Sequence, residues 1–310
     1  MEEKSRQVMG WGKASENGIA EFWDARPIFL GEQVTFLDKV KLVFFPKKIL
    51  LYNWIRKALS EKRKENKMTG KFSKLRILDV GCGTGASVIE MKKLWGKEVE
   101  VYGIDVINLE VELAKERIKE YGVWADLSYY EGTLLPFKNN FFDVVFTSDV
   151  LGHVEDVPNW LEELQRVLLP GGRLAMFCES KLGKHAYVRN YLLKRGLNTD
   201  PHANFHISLY AKSELKSLLE QNSFEIKKMY SAFFLSFLVH PEEFYVSLQK
   251  REAFFFLRNI NRILYWLKKK TYPFSTALAE FYGLVEMLTI GRFLEVQGYV
   301  VLAKKKHYNE

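Results

Sequence analysis

Two cysteines among 310 residues exclude a disulfide framework. Cys82 falls in a glycine turn and Cys178 in an apolar strand, a usage that fits a reducing, cytoplasmic compartment. The start, Met1-Glu2-Glu3-Lys4, lacks the apolar region of a secretory signal. No uninterrupted apolar run approaches the ~20 residues that span a bilayer, so membrane contact, if present, is expected to be peripheral. No internal repeat is found, which excludes a solenoid, and no recognised RNA-binding module is visible. A net charge of +8 and a pI near 9.2 would nevertheless permit a nucleic-acid partner. The hydrophobic fraction, 47%, is ample for a packed core, and the length allows about a domain and a half.

What is present begins with Ile77-Leu78-Asp79-Val80-Gly81-Cys82-Gly83-Thr84-Gly85. An apolar strand runs into alternating glycines and then into a helical pattern, the geometry of a nucleotide-type ligand site. A helix N-terminus beyond the turn adds free N–H groups and partial positive charge. Alone, the turn could serve NAD, FAD, S-adenosylmethionine or a tight loop. Its spacing is not the G-x-G-x-x-G of a dinucleotide site. Asp79 would repel a pyrophosphate yet suit a cationic ligand such as a sulfonium with an α-amino group. Cys82 reads as a small residue filling the turn, with a nucleophile as the alternative. A second strand, Val99 to Asp105, ends in an acid about 20 residues on, where a ribose-binding carboxylate belongs. The same acid could cap a helix over Leu109 to Tyr121. Strands are expected within Leu127–Gly132, within Phe142–Asp149 with Ser148 and Asp149 just past its end, and at Arg173–Cys178. Asp156-Val157-Pro158 opens a helix between the last two, and Pro170-Gly171-Gly172 ends it.

In order and spacing, Val80 to Gly85, Asp105, Leu135-Pro136-Phe137 before Phe142 to Val145, Val150 to Asp156, and Leu168 to Gly172 resemble the class I S-adenosylmethionine-dependent methyltransferases. Within that family they are closest to the branch acting on small molecules, quinones and lipids. The resemblance covers about residues 75 to 180 and continues more weakly through His206 to Tyr210 and Leu215 to Phe224. It implies an α/β, Rossmann-like, seven-stranded and mostly parallel sheet with helices on both faces, binding S-adenosylmethionine across the strands' carboxyl ends. On that basis Asp79, Gly81, Cys82, Gly83 and Gly85 cradle the methionine part. Asp105 and Val106 meet the ribose side, Glu131 and Gly132 border the adenine, and Ser148 lies near the sulfonium. Glu131 stands where many relatives carry Asp. The implied chemistry is methyl transfer to a small, apolar or lipid-like acceptor. An RNA or protein methyltransferase and a non-catalytic, cofactor-binding scaffold are the alternatives. No Asn-Pro-Pro-Tyr type tetrapeptide follows strand four and no Pro-Cys dipeptide is present, which argues against nucleic acid.

If the acceptor must lose a proton, candidate catalytic groups are His153, His206 and Asp149, with Asp200 and His202 nearby. Asp200-Pro201-His202-x-x-x-His206 could instead hold a metal, but no further ligand is evident and none is assigned. Four regions are expected. They are a helical arm and basic linker at 1–70, a cofactor-binding core at 71–230, an aromatic-rich helical insertion at 231–291, and the last strand with a basic tail at 292–310. The arm carries Ile19, Phe22 and Trp23, and the tract from Arg56 to Lys74 reads as a solvated linker. In the insertion, Phe256, Ile260, Ile263, Leu264 and Leu267 recur at helical spacing within Leu248 to Lys270. Lysines and arginines flank them, so the segment reads either as a lid over the acceptor, with an affinity for anionic headgroups, or as a helical pair packed on the sheet.

Overall fold

The computed structural model describes residues 24–200 and 202–306. Ile19, Phe22, Trp23, Pro201 and the last four residues lie outside them. Among the described residues the order is α1 (Phe36–Lys41), α2 (Pro46–Thr69), β1 (Leu75–Val80), α3 (Ala86–Trp95), β2 (Val99–Asp105), α4 (Asn108–Glu120) and β3 (Asp126–Tyr129). Then follow β4 (Phe142–Ser148), α5 (Val157–Val167), β5 (Leu168–Cys178), α6 (Tyr187–Leu193), α7 (Lys212–Gln221) and β6 (Phe224–Ala232). The chain continues with α8 (Ser236–Val239), α9 (Glu242–Gln249), α10 (Phe255–Lys270), α11 (Phe274–Thr289) and β7 (Gln297–Lys305).

One seven-stranded sheet results, in the order β3-β2-β1-β4-β5-β7-β6. β7 runs antiparallel to β5 and β6, while the other pairs are parallel. The strands are apolar on both sides because both faces are covered. In β1, Ile77 packs with Leu51, Ile55, Leu59 and Ile89 on one face, whereas Leu78 packs with Trp160, Leu164 and Leu219 on the other. Chain order reverses between β1 and β4, so a crevice opens beyond their carboxyl ends, where ligands bind in open α/β sheets.

Three local expectations need correction. Arg56 to Thr69 is not a linker but the second half of α2, which ends at Gly70 in a left-handed C-cap. Its Lys, Arg and Glu residues are strong helix formers and remain on the solvent side, as in the Lys62–Glu65 pair. Strand β5 starts at Leu168 rather than Arg173. Leu168 pairs with Phe142 and Arg173 with Val144, so Pro170-Gly171-Gly172 is a bulge within the strand, Gly171 taking φ +73°. Finally, the helix expected from Leu248 to Lys270 breaks at Lys250 to Phe254 into α9 and α10.

A buried carboxylate ties the N-terminal elements to the sheet. Glu90 on α3 is fully buried and accepts from Lys48 Nζ at 2.8 Å on both oxygens and from the Ile28 amide at 2.8 Å. It also accepts from the Tyr52 phenol, which burial and the nearby Glu90 charge keep protonated. Removing the carboxylate strands three donors, one of them a largely buried cation. Glu90→Ala is therefore expected to lower unfolding free energy by about 3–5 kcal/mol, read from urea denaturation. A loss below about 1 kcal/mol would show that the cluster is not what holds α2 and the residue 24–31 segment to α3.

Candidate active site

The glycine turn leaves β1 at its carboxyl end. Gly81, Gly83 and Gly85 have φ of +77°, +51° and +83°, a region closed to most side chains. Space is as restrictive as torsion: a Cβ on Gly81 would lie 2.2 Å from Val150 Cγ2, and one on Gly85 3.1 Å from Ala114 Cβ. The Gly81 and Cys82 amides donate to Ile104 O at 2.9 and 3.0 Å, fastening the turn to β2. Gly85 opens α3, and no side-chain hydrogen bond caps that end. From the N-terminal side, Arg117 Nη1 donates to Thr84 Oγ1 and Ala25 O at 2.7 and 2.9 Å and pairs with Asp24. That clamp lays the 24–25 segment against the turn.

Acids accumulate around it. Asp79 is buried, and its Oδ2 finds no hydrogen-bond donor among the described residues. Burial, with repulsion from Asp105 and Glu90 outweighing the opposing Lys48, pushes its carboxyl up to about 8. Asp105 accepts from the Gly83 and Ile107 amides at 2.8 and 3.0 Å, yet burial still raises its pKa. Cys82 sits among Asp79, Asp105 and Glu110, and burial and their charges drive its thiol well up. A buried thiol held protonated in this way is a poor nucleophile. Val106 and Gly132 face one another, a Cβ on Gly132 lying 3.4 Å from Val106 Cγ1. Glu131 stands exposed at the rim beyond β3.

A second cluster forms beyond β4 and β5. Asp149 holds a left-handed backbone, φ +62°, rare and strained outside glycine. Its side chain keeps 47% of its surface accessible. Ser148 Oγ donates to its Oδ2 at 2.6 Å, and Lys47 Nζ lies 3.4 Å from its Oδ1. Burial alone would raise the Asp149 pKa, but Lys47 and hydrogen bonds from Glu179 and Ser148 hold it low. Glu179 is pushed the other way by burial and by Asp149. Like charges this close disfavour ionising both carboxyls. Lys47 also stands 3.7 Å from the Phe177 ring centroid.

The histidines join this cluster across Gly152, where a Cβ would meet His206 Cδ2 at 3.1 Å and Glu179 Oε2 at 3.4 Å. His206 Nδ1 pairs with Asp200 Oδ2 at 2.8 Å. Burial would raise Asp200, but His206 holds it below the ordinary carboxylate range. In the tautomer that donates from Nδ1 to Asp200, Nε2 faces away as the acceptor nitrogen. His153 lies 5.0 Å from His206 between ring centroids. Its Nδ1 donates to Phe205 O at 2.9 Å, and burial keeps the ring neutral. His202 is 6.2 Å from His206, but among the described residues no three His, Cys, Asp or Glu form a metal-binding group.

The structure thus brings Ser148, Asp149, His153 and His206 together on one side, and Asp79, the glycines, Cys82, Asp105, Val106 and Gly132 on the other. Sequence reasoning did not find Glu179, Lys47 or Glu90. Glu179 was within reach, being the acid directly after a strand at the sheet's carboxyl edge. For Lys47 the available signal was Pro46, a helix-opening residue that sets the adjacent lysines in a first turn.

Residues 78–176 match the family described as methyltransferase domain. Over 108 residues the chain is 32% identical to the ubiquinone/menaquinone biosynthesis C-methyltransferase UbiE of Proteus mirabilis, covering 34% of this chain and 43% of that protein. Over 159 residues it is 30% identical to the O-methyltransferase rstn1 of Aspergillus nomiae, covering 49% of this chain and 64% of that one. A SAM dependent methyltransferase of known structure from Aquifex aeolicus is 20% identical and aligns with a TM-score of 0.44 over 62% of this chain and 86% of that chain. The chain thus spans less than half the length of the UbiE protein it matches.

Both cysteines are buried and both thiols are shifted upward by burial and neighbouring carboxylates. The native protein should resist alkylation by iodoacetamide at neutral pH, and unfolding should release two reactive thiols. Rapid modification of Cys82 in the native state would refute its role as filler.

Proposed function

We propose, from a chain whose residues 78–176 belong to the methyltransferase-domain family, that the protein transfers a methyl group from S-adenosylmethionine to a small, apolar or lipid-like acceptor. When bound, that cofactor supplies a methyl group activated on a sulfonium. The observation that carries the reading is the buried Asp79 carboxyl, lacking a donor among the described residues and lodged among other acids beside a glycine cradle. Such a group fits the ammonium end of the cofactor, and the side-chain-free turn gives its backbone close approach. Asp105, Val106 and Gly132 would border the nucleoside, with Glu131 at the rim.

The acceptor side would be the cleft floored by Asp149. Residues 231–291 would cover it, because Phe233 lies 6.0 Å from the Lys47 ammonium and His240 6.3 Å from Phe233. Lys47 and Asp149 would fix one polar end of the acceptor. The His206–Asp200 pair would take a proton at Nε2 where the acceptor has one to lose, while neutral His153 lines the same wall. Methyl transfer needs little else beyond alignment and exclusion of water. The ubiquinone/menaquinone biosynthesis enzyme named above supports a small-molecule acceptor by similarity. An acceptor of that kind partitions into bilayers, which favours work at a membrane periphery.

Two measurements test this. At pH 7 the ligand-free Asp79 is protonated, since its pKa stands near 8. A cationic ligand stabilises its ionised form, so binding releases a proton. S-adenosylmethionine affinity should therefore tighten by up to about tenfold per pH unit between about pH 6 and 7, where the ligand ammonium stays charged. Asp79→Asn should flatten that dependence, and a flat wild-type profile would remove Asp79 as the cationic group's partner.

For the reaction itself, the protein is incubated with methyl-labelled cofactor and whole cell extract, beside Asp105→Ala and His206→Ala. Label in the organic phase, absent with Asp105→Ala, is expected. His206→Ala should lower the rate by about 10²–10⁴-fold with cofactor affinity retained. Label in RNA or protein would overturn the acceptor class, and undiminished transfer by His206→Ala would remove it as the base.

A further inference from the structure

The connection between α10 and α11 turns large side chains into solvent. Across it, Trp266 is 55% exposed, Tyr272 71% and Phe274 81%. Lys269 and Lys270 are exposed in the same turn and form no ion pair among the described residues. The apolar exposure extends along both helices, through Ile263 on α10 and Leu278 on α11, each at helical spacing from the tip. These groups are not loosely held. The Thr271 amide donates to Leu267 O at 3.0 Å, and Ser275 Oγ donates to Lys268 O at 2.9 Å. Lys268 alone of the three lysines turns inward, donating to Val239 O at 2.7 Å and pairing with Glu242 at 2.6 Å. The hairpin's own core, formed by Phe237, Phe244, Leu248 and Phe254 with α6, lies elsewhere. Neither that core nor the sheet uses the exposed tip.

Charge identifies the occupant. Residues 250–293 carry eight Lys and Arg against three Glu, and of the three, Glu286 is buried, where it accepts from the Phe234 amide. A second copy of the chain would set this cationic face against itself, because a two-fold interface pairs a patch with its own image. An anionic bilayer surface satisfies both halves of the pattern. Aromatic rings enter the headgroup boundary, and lysines remain at the phosphate level. We propose that the α10–α11 tip docks this protein on anionic membranes. The docking rests on the hairpin's geometry and charge and is independent of methyl transfer.

The test is sedimentation of the full-length protein, without cofactor or acceptor, with phosphatidylcholine vesicles containing or lacking phosphatidylglycerol. Binding should appear only with phosphatidylglycerol and weaken as salt is raised. Phe274→Ser and Trp266→Ser should each weaken it by about tenfold, and Lys269→Glu with Lys270→Glu should remove the preference for anionic lipid. All four positions are exposed, and unchanged circular dichroism with retained S-adenosylmethionine binding would verify the fold. Three results would overturn the proposal. They are no binding to either vesicle, binding unaffected by these variants, or a wild-type dimer by analytical ultracentrifugation that Phe274→Ser converts to monomer. Failure here would leave methyl transfer standing, and loss of transfer would leave docking standing.

Discussion

Two adjacent lysines in the first turn of α2 decide how a group of buried acids can coexist at one edge of the sheet. Lys48 turns to Glu90 and lowers Asp79 from a distance, while Lys47 turns to Asp149 and the Phe177 ring. Successive helix residues diverge by roughly 100°, so one backbone element serves two neighbouring clusters of opposite purpose. On the Glu90 side the positive charge is fully used, and the result is structural. On the Asp79 side it is insufficient: burial and repulsion from Asp105 outweigh Lys48, and the carboxyl remains above its ordinary range. That imbalance separates a carboxylate whose partners are all supplied by the fold from one whose Oδ2 has no donor among the described residues.

The Asp149 cluster follows the same economy of charge. One lysine faces both Asp149 and Glu179, and the two carboxyls are pushed apart, Asp149 downward by Lys47 and Glu179 upward by burial and by Asp149. The left-handed Asp149 backbone orders this arrangement at the point where β4 gives way to the loop. Strain of this type persists only where the surroundings over-determine it. Here they are a serine hydroxyl, an ammonium and a carboxyl, all within reach of one side chain. The His206–Asp200 pair completes the wall from a segment about 50 residues further on, tied back by the Ile207 and Ser208 amides to Gly152 O.

Much of this was legible in the amino-acid order because it depends on local pattern. Apolar runs such as Ile77–Val80 and Val144–Phe146 mark strands buried on both faces, and three alternating glycines announce a turn that only glycine can take. The place of Asp105 at the end of β2 was legible from its spacing after the glycine turn. What escaped depends on long-range packing. Glu90 looks like any helix-surface acid until Lys48 and Tyr52 arrive from a helix about 40 residues earlier. The basic half of α2 looks like a solvated linker because its charge density conceals good helix formers. Pro170-Gly171-Gly172 reads as a stop, yet the sheet absorbs it as a bulge because both flanking segments already pair with β4. The insertion's aromatics were legible as a group but not in their fates. Phe244 and Phe254 build a core, Phe233 approaches Lys47 and Phe274 faces solvent.

The separate core beneath α9 has a consequence for how such a chain diversifies. Phe237, Phe244, Leu248 and Phe254 pack with Leu192 and Leu197. Buried Arg189 braces them by donating to Thr199 O and Oγ1, pairing with Glu243 and stacking over the Phe244 ring. None of these groups belongs to the glycine turn or to the acids behind it. Substitutions that recut this outer layer can accumulate without disturbing the strand ends and the turn, so the two parts of the chain are free to change at different rates.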